Sequence, residues 1–332
     1  MDKLTLRNCR FCTEVAKQNG EDPIGTTETY DHWLIFELPL PWAKTIWMEP
    51  NPVPQHIHEA LAVIWQEDIR LRPLAIAPDR EYSQPHLMRV LYYHKPAGAF
   101  ARLTKYEYLL PLDAVAPLIF ALFKQPQQLA TFAAYQQKTQ HIRDLLVCTH
   151  GNVDAACARF GYPIYRQLRQ QYASQNLRVW RCSHFGYHQF APTLLDMPEG
   201  RCWGQLEPDV LELLIRRSSS VTGLRSYYQG WAGLTKFEQI AEREILMLEG
   251  WAWLDYLKQG KVLAVDEIHI EPEWAEIQID FASSGGSIFG AYQARIEVSG
   301  QVTTAWWTST YDDDEPLVQV KQYRVSRLVK VI

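Results

Sequence analysis

Two cysteines separated by eight residues, Cys148 and Cys157, are followed by two histidines separated by three, His184 and His188. If all four serve one centre, the fold must bring the ends of several strands and one helix to a single point. Thiolates and imidazoles in a two-plus-two set suit a tetrahedral Zn²⁺ or an iron–sulfur cluster in which two histidines replace two cysteines. The donor types alone leave both metals open.

The pattern around the four residues is regular. DLLVCTH reads as a strand ending in the first cysteine, and 154–173 has helical spacing at Ala155, Ala158, Tyr162, Tyr165 and Leu168, with Pro163 expected to kink or divide it. LRVWRCSHFG reads as the next strand, 193–197 and 201–206 as a hairpin around Pro198, Glu199 and Gly200, and 207–217 as a closing helix. The order β, α, β, ββ, α is that of a thioredoxin-like domain. Three regions are therefore expected: an N-terminal α/β unit over 1–140, the thioredoxin-like unit over 141–217, and an α+β domain with an antiparallel sheet over 224–332, after a linker at Ser218, Ser219 and Ser220. In the last region Thr235 and Glu238 have capping-box spacing before a helix expected to reach about Lys258. Ser299 and Gly300 there predict a hairpin turn.

CTHGNVDAAC, then SHFGYHQFAPTLL and WGQL, together with GEDPIGTT and WLIFELPLPW near the start, resemble the sucrase/ferredoxin-like family, whose pattern joins a spaced cysteine pair to SHxGGHxFAPT. The likeness covers roughly residues 9–217. It implies a thioredoxin-fold [2Fe–2S] protein in which Cys148 and Cys157 hold one iron and His184 and His188 the other. Tyr187 stands where the family has the second glycine of His-x-Gly-Gly-His. On the residues themselves, a turn at Thr149, His150 and Gly151 can aim N–H groups at the centre, and Cys157 at a helix start is favoured as a thiolate. Gly186 lets the histidine loop fold back.

Other candidates carry less. Cys9 and Cys12 form C-x2-C near a terminus expected to be mobile, without a second half-site at the usual spacing. Cys182 and Cys202 read as buried structural thiols, and His150 as a turn residue or a donor behind the ligands. His56 and His58, at i and i+2 on a helix, do not share a face. Asp312, Asp313, Asp314 and Glu315 lack the register of a calcium loop. No carboxylate pair stands out as a glycosidase would need.

The net charge of −5 and the scattered basic residues give no footprint for nucleic acid. With no apolar run long enough to span a bilayer and no signal peptide, a cytoplasmic location is expected. The function expected is electron transfer with an unidentified redox partner protein, by a carrier rather than an enzyme with its own substrate. A zinc-stabilised binding module and a thiol-disulfide oxidoreductase are the alternatives.

Overall fold

The computed structural model describes residues 9–49, 53–310 and 316–331. Strand β1 (Cys9–Arg10) and helix α1 (Cys12–Gln18) precede a first unit of β2 (His32–Glu37), α2 (Gln55–Trp65), β3 (Leu71–Ile76), β4 (Met88–His94), β5 (Thr104–Leu110) and α3 (Val115–Phe123). The same order then repeats as β6 (Arg143–Cys148), α4 (Ala155–Gln171), β7 (Leu177–Cys182), β8 (Leu194–Met197), β9 (Arg201–Trp203) and α5 (Leu211–Arg216). Strand pairing repeats as well. In each unit the first two strands are parallel across a helix, as a parallel crossover requires, and the first, third and fourth strands form an antiparallel run. The N-terminal α/β unit thus has the topology expected only of the second.

The two sheets join edge to edge where β3 meets β7 antiparallel at Ile76 and Cys182, and β10 (Tyr228–Trp231) adds beside β9 to complete nine strands. Period-two alternation gives each face of the first sheet its own partner. Leu34, Phe36, Val90 and Tyr92 pack with Ile57 and Leu61 of α2 and Leu118 and Ile119 of α3. Trp33, Ile35, Leu91 and Tyr93 face the other way, into the core that holds Leu145, Val147 and Val179 of the second unit. Burial on both sides explains why DHWLIFEL and DLLVCTH are nearly continuous apolar runs.

The remaining chain forms α6 (Lys236–Glu249), β11 (Leu257–Val265), β12 (Trp274–Ala282), β13 (Phe289–Thr304), β14 (Ser309–Thr310) and β15 (Val318–Val331). Its sheet has the order β11-β12-β13-β15, all antiparallel, and Ile240, Ile245 and Leu246 of α6 share a core with Ile277, Ile279, Tyr292 and Ile296 on it. The Thr235–Glu238 capping box is present.

Three local expectations change. The helix does not reach Lys258: Gly250, at φ 72°, ends it in the left-handed region, and Lys258 already lies in β11. Ser299 and Gly300 make no hairpin; β13 runs on past them with a register shift between Val298 and Gly300, because β15 is long enough to pair both halves. Pro163 does not divide α4, which runs unbroken from Ala155 to Gln171. The proline is exposed, as is Arg159, so the Arg159 carbonyl that loses its helical partner is left to water.

β1 pairs with β14, Cys9 opposite Thr310 and Arg10 opposite Ser309. This ties the start of the described chain to the loop between β13 and β15. Cys9 and Cys12 are consequently buried.

Candidate metal centre

Strand β6 ends at Cys148, whose N–H donates to the Thr193 carbonyl at 3.1 Å. The chain turns through Thr149–Gly151, and Asp154 then caps α4, its Oδ1 accepting from the Ala156 N–H at 2.8 Å. That cap places Cys157 in the first helical turn. Strand β7 ends beside β6, so the loop that follows it delivers His184 to the same place. His184 Nδ1 lies 4.0 Å from Cys148 Sγ and 3.8 Å from Cys157 Sγ. The three donors lie within 4.8 Å of one another, the cysteines buried and His184 half-buried.

Their chemistry fits a borderline or soft metal. Both thiols are free. Burial opposes ionisation of Cys148, but the neighbouring Cys157 thiol, His184 and the His150 backbone N–H together hold it well below the ordinary thiol range. Cys157 is pushed up, first by its hydrogen bond to Cys148 and then by burial, so the pair shares one proton. Zn–S and Zn–N bonds of about 2.3 and 2.0 Å at a tetrahedral angle put sulfur and nitrogen roughly 3.5 Å apart.

His188 belongs to a second, adjoining group. Its ring centroid is 5.4 Å from that of His184, but its Nδ1 lies 3.4 Å from Cys12 Sγ and 3.5 Å from Asp154 Oδ2. Cys12, Asp154 and His188 are all buried and also lie within 4.8 Å of one another. The β13–β15 loop closes over them. Thr308 donates to Asp154 from its N–H at 2.8 Å and its hydroxyl at 2.6 Å, and the Trp307 ring lies 4.5 Å from His188. Burial, the largest effect on both, lowers the His188 pKa and raises that of Cys12 to about 12.

His150 joins the two ligand-bearing loops. Its Nε2 faces the Trp42 and Ala43 carbonyls at 3.2 and 3.1 Å, and its Nδ1 accepts from the His184 N–H at 3.3 Å. Donation from Nε2 and acceptance at Nδ1 define one neutral tautomer, and burial lowers the pKa accordingly. At the other end of the histidine loop, Gly186 has φ 124° and Tyr187 φ 51°. The left-handed region explains why glycine is expected at 187. Tyr187 bears a strain of about 1–2 kcal/mol there, while its ring stacks on Phe190 at 6.4 Å.

The other candidates lie apart from these groups. Cys182 and Cys202 are in the main core, their thiols pushed up by burial. His56 Nε2 faces the Leu112 carbonyl at 3.0 Å on α2. Asp312–Glu315 lie outside the described residues. Among the described residues, no helix is long and apolar enough to cross a membrane. The roles of Cys12, Asp154, Trp307 and Thr308 were not read from sequence. Two of them had a local signal: Cys12 in the C-x2-C with Cys9, and Asp154 as an Asp just before the helical AAC stretch.

No curated protein and no solved structure matches the chain. A family model described as sucrase/ferredoxin-like matches residues 23–230. That span takes in both repeated units and all four of Cys148, Cys157, His184 and His188, and it exceeds half of the chain. The chain belongs to the sucrase/ferredoxin-like family.

Proposed function

We propose that the chain is an electron-transfer protein that carries a [2Fe–2S] cluster, with Cys148 and Cys157 on one iron and His184 and His188 on the other. The observation that carries this reading is the meeting of two buried free thiols with one imidazole, and a second imidazole ring 5.4 Å from the first, in a member of this family. When bound, such a group supplies one-electron chemistry at a raised potential, roughly −150 to +300 mV for His₂Cys₂ Rieske centres against about −400 mV for plant-type all-cysteine ones.

The chain's own residues orient and shield the centre. His150 fixes the backbone of His184 from behind. Cys12 and Asp154 hold His188 through Nδ1, which leaves Nε2 as its metal-binding nitrogen. Trp307 and Thr308 keep water from that side. Half-buried His184 is placed to exchange a proton with solvent, which would couple proton to electron transfer.

Zinc in a structural site is the second reading. The S···N distances of 3.8 and 4.0 Å favour it, because donors sharing one ion sit closer than donors on opposite irons. Thiol-disulfide exchange is disfavoured, since Cys148 and Cys157 are each only 1% exposed and out of reach of a substrate disulfide.

Replacing His184 by Cys tests the proposal. A third thiolate adds negative charge, so His184→Cys is expected to keep a cluster while lowering its midpoint by about 100 mV or more in protein-film voltammetry. An unchanged or raised midpoint, or the absence of any redox wave in the wild type, would contradict the proposal.

A further inference from the structure

A cavity of about 530 Å³ is lined in part by His184. Its volume is that of a site for one small organic molecule. Three aromatic side chains line it, Tyr30, Trp47 and Trp65, over an aliphatic floor from Leu71 and Pro73 at the start of β3. Two cations line it as well, Lys44 and Arg72, and no carboxylate does so among the described residues.

The two cations differ in how far they are already engaged. Arg72 pairs with Glu28 at 3.5 Å, donates to the Tyr30 hydroxyl and the His184 carbonyl at 3.3 Å each, and lies over the Tyr30 ring. It therefore stiffens the wall between the cavity and His184. Lys44 makes no ion pair among the described residues; its ammonium rests 4.6 Å from the Trp307 ring, and the side chain is exposed. A lysine in that position can turn to meet an anion without breaking a salt bridge. Flat aromatic walls favour a flat aromatic guest, through offset or edge-on ring contacts and large apolar burial. The ammonium of Lys44, which no carboxylate among the described residues neutralises, favours a guest with negative charge.

We infer that this cavity binds a small flat aromatic anion, a conjugated ring system with a negatively charged substituent, with its ring against Trp47 and Tyr30 and its charge at Lys44. The bound ring then lies beside His184. That such a ligand exchanges electrons with the centre rests on the electron-transfer reading; the binding itself does not.

Calorimetric titration of the full chain with flavin mononucleotide, and with riboflavin as the same ring without the phosphate, tests the inference. Metal content is measured on the same samples. Saturable binding of flavin mononucleotide is expected, with riboflavin at least ~10-fold weaker. Lys44→Ala should weaken flavin mononucleotide ~10-fold and leave riboflavin unchanged, whereas Trp47→Ala should weaken both. Circular dichroism of each variant separates these losses from misfolding, and Lys44, being exposed, can be changed without disturbing the core. No saturable binding up to about 1 mM, equal affinity for the two flavins, or binding indifferent to both substitutions would overturn the inference. A sample that holds zinc and still binds flavin mononucleotide in this pattern contradicts the electron-transfer reading and leaves the binding site standing.

Discussion

Gly161→Ala is expected to destabilise the protein by about 3 kcal/mol or more and to abolish retention of metal. Helix propensity alone predicts the opposite sign, because glycine inside a helix costs about 1 kcal/mol relative to alanine. Packing decides against it. A Cβ on Gly161 would lie 2.0 Å from the carbonyl oxygen of Cys148. The obstacle is backbone at the end of a central strand, which has no rotamer to change, so α4 must lift away from β6. Cys148 is on one of those elements and Cys157 on the other, so lifting the helix separates the pair. Overfilled cores usually cost about 1–3 kcal/mol, and a backbone obstacle belongs at or above the top of that range. Urea unfolding measures the loss. Gly285→Ala is the control, since nothing lies within 4 Å of a Cβ there and a change within about 0.5 kcal/mol is expected.

Asp144→Ala is expected to cost about 3–5 kcal/mol, the range for removing one partner of a buried charge group. The Asp144 carboxylate is fully buried between the repeated units. It accepts from Arg178 at 2.7 Å, Trp180 at 2.9 Å and the Tyr93 hydroxyl at 2.7 Å, and it pairs with Lys105. Arg178 also donates to Glu107 at 2.7 Å, and Arg89 pairs with Glu107 in turn. Loss of the carboxylate leaves two buried cations short of a partner, and relocation to water is blocked by the seam between the sheets.

The same group sets an acid limit. Burial raises the Asp144 pKa, but Arg178 and Lys105 overcome it and hold the carboxyl well below its ordinary range. Glu199 is likewise lowered to about 2, burial opposing and Arg217 prevailing. For a depressed carboxylate the stabilisation is fully present above the unfolded pKa of about 4 and is lost as pH falls toward the folded value. Wild-type urea midpoints should therefore fall between pH 7 and pH 3. The Asp144→Ala variant should show a shallower fall, since it has already lost that contribution. Equal slopes would remove Asp144 from the account of acid stability.

Much of the second unit was legible because local signals there agree with tertiary context. Val147 and Cys148 end an apolar run, Asp154 caps the next helix, and the 193–206 hairpin is punctuated by Pro198 and Gly200. The duplicated topology was not legible, since the first unit carries Glu37 and Leu38 where the second has Cys148 and Thr149 at the strand end, and no common motif marks the repeat. Nothing in the sequence marks Gly161; the approach of β6 gives it meaning. Trp307 and Thr308 could not be connected to His188 either, because a loop more than a hundred residues away reaches the centre through tertiary contacts, the β1–β14 pairing and the Thr308–Asp154 hydrogen bonds among them. Ser299 and Gly300 misled for a related reason. Turn chemistry is local, and the long partner strand β15 overrode it.

The identity of the metal is the central claim, and one preparation decides it. Protein purified anaerobically should contain about two irons and about two acid-labile sulfides per chain, and on reduction should give a rhombic signal in electron paramagnetic resonance. A colourless protein with about one Zn²⁺ per chain, no labile sulfide and no such signal after anaerobic reconstitution with iron and sulfide would contradict it.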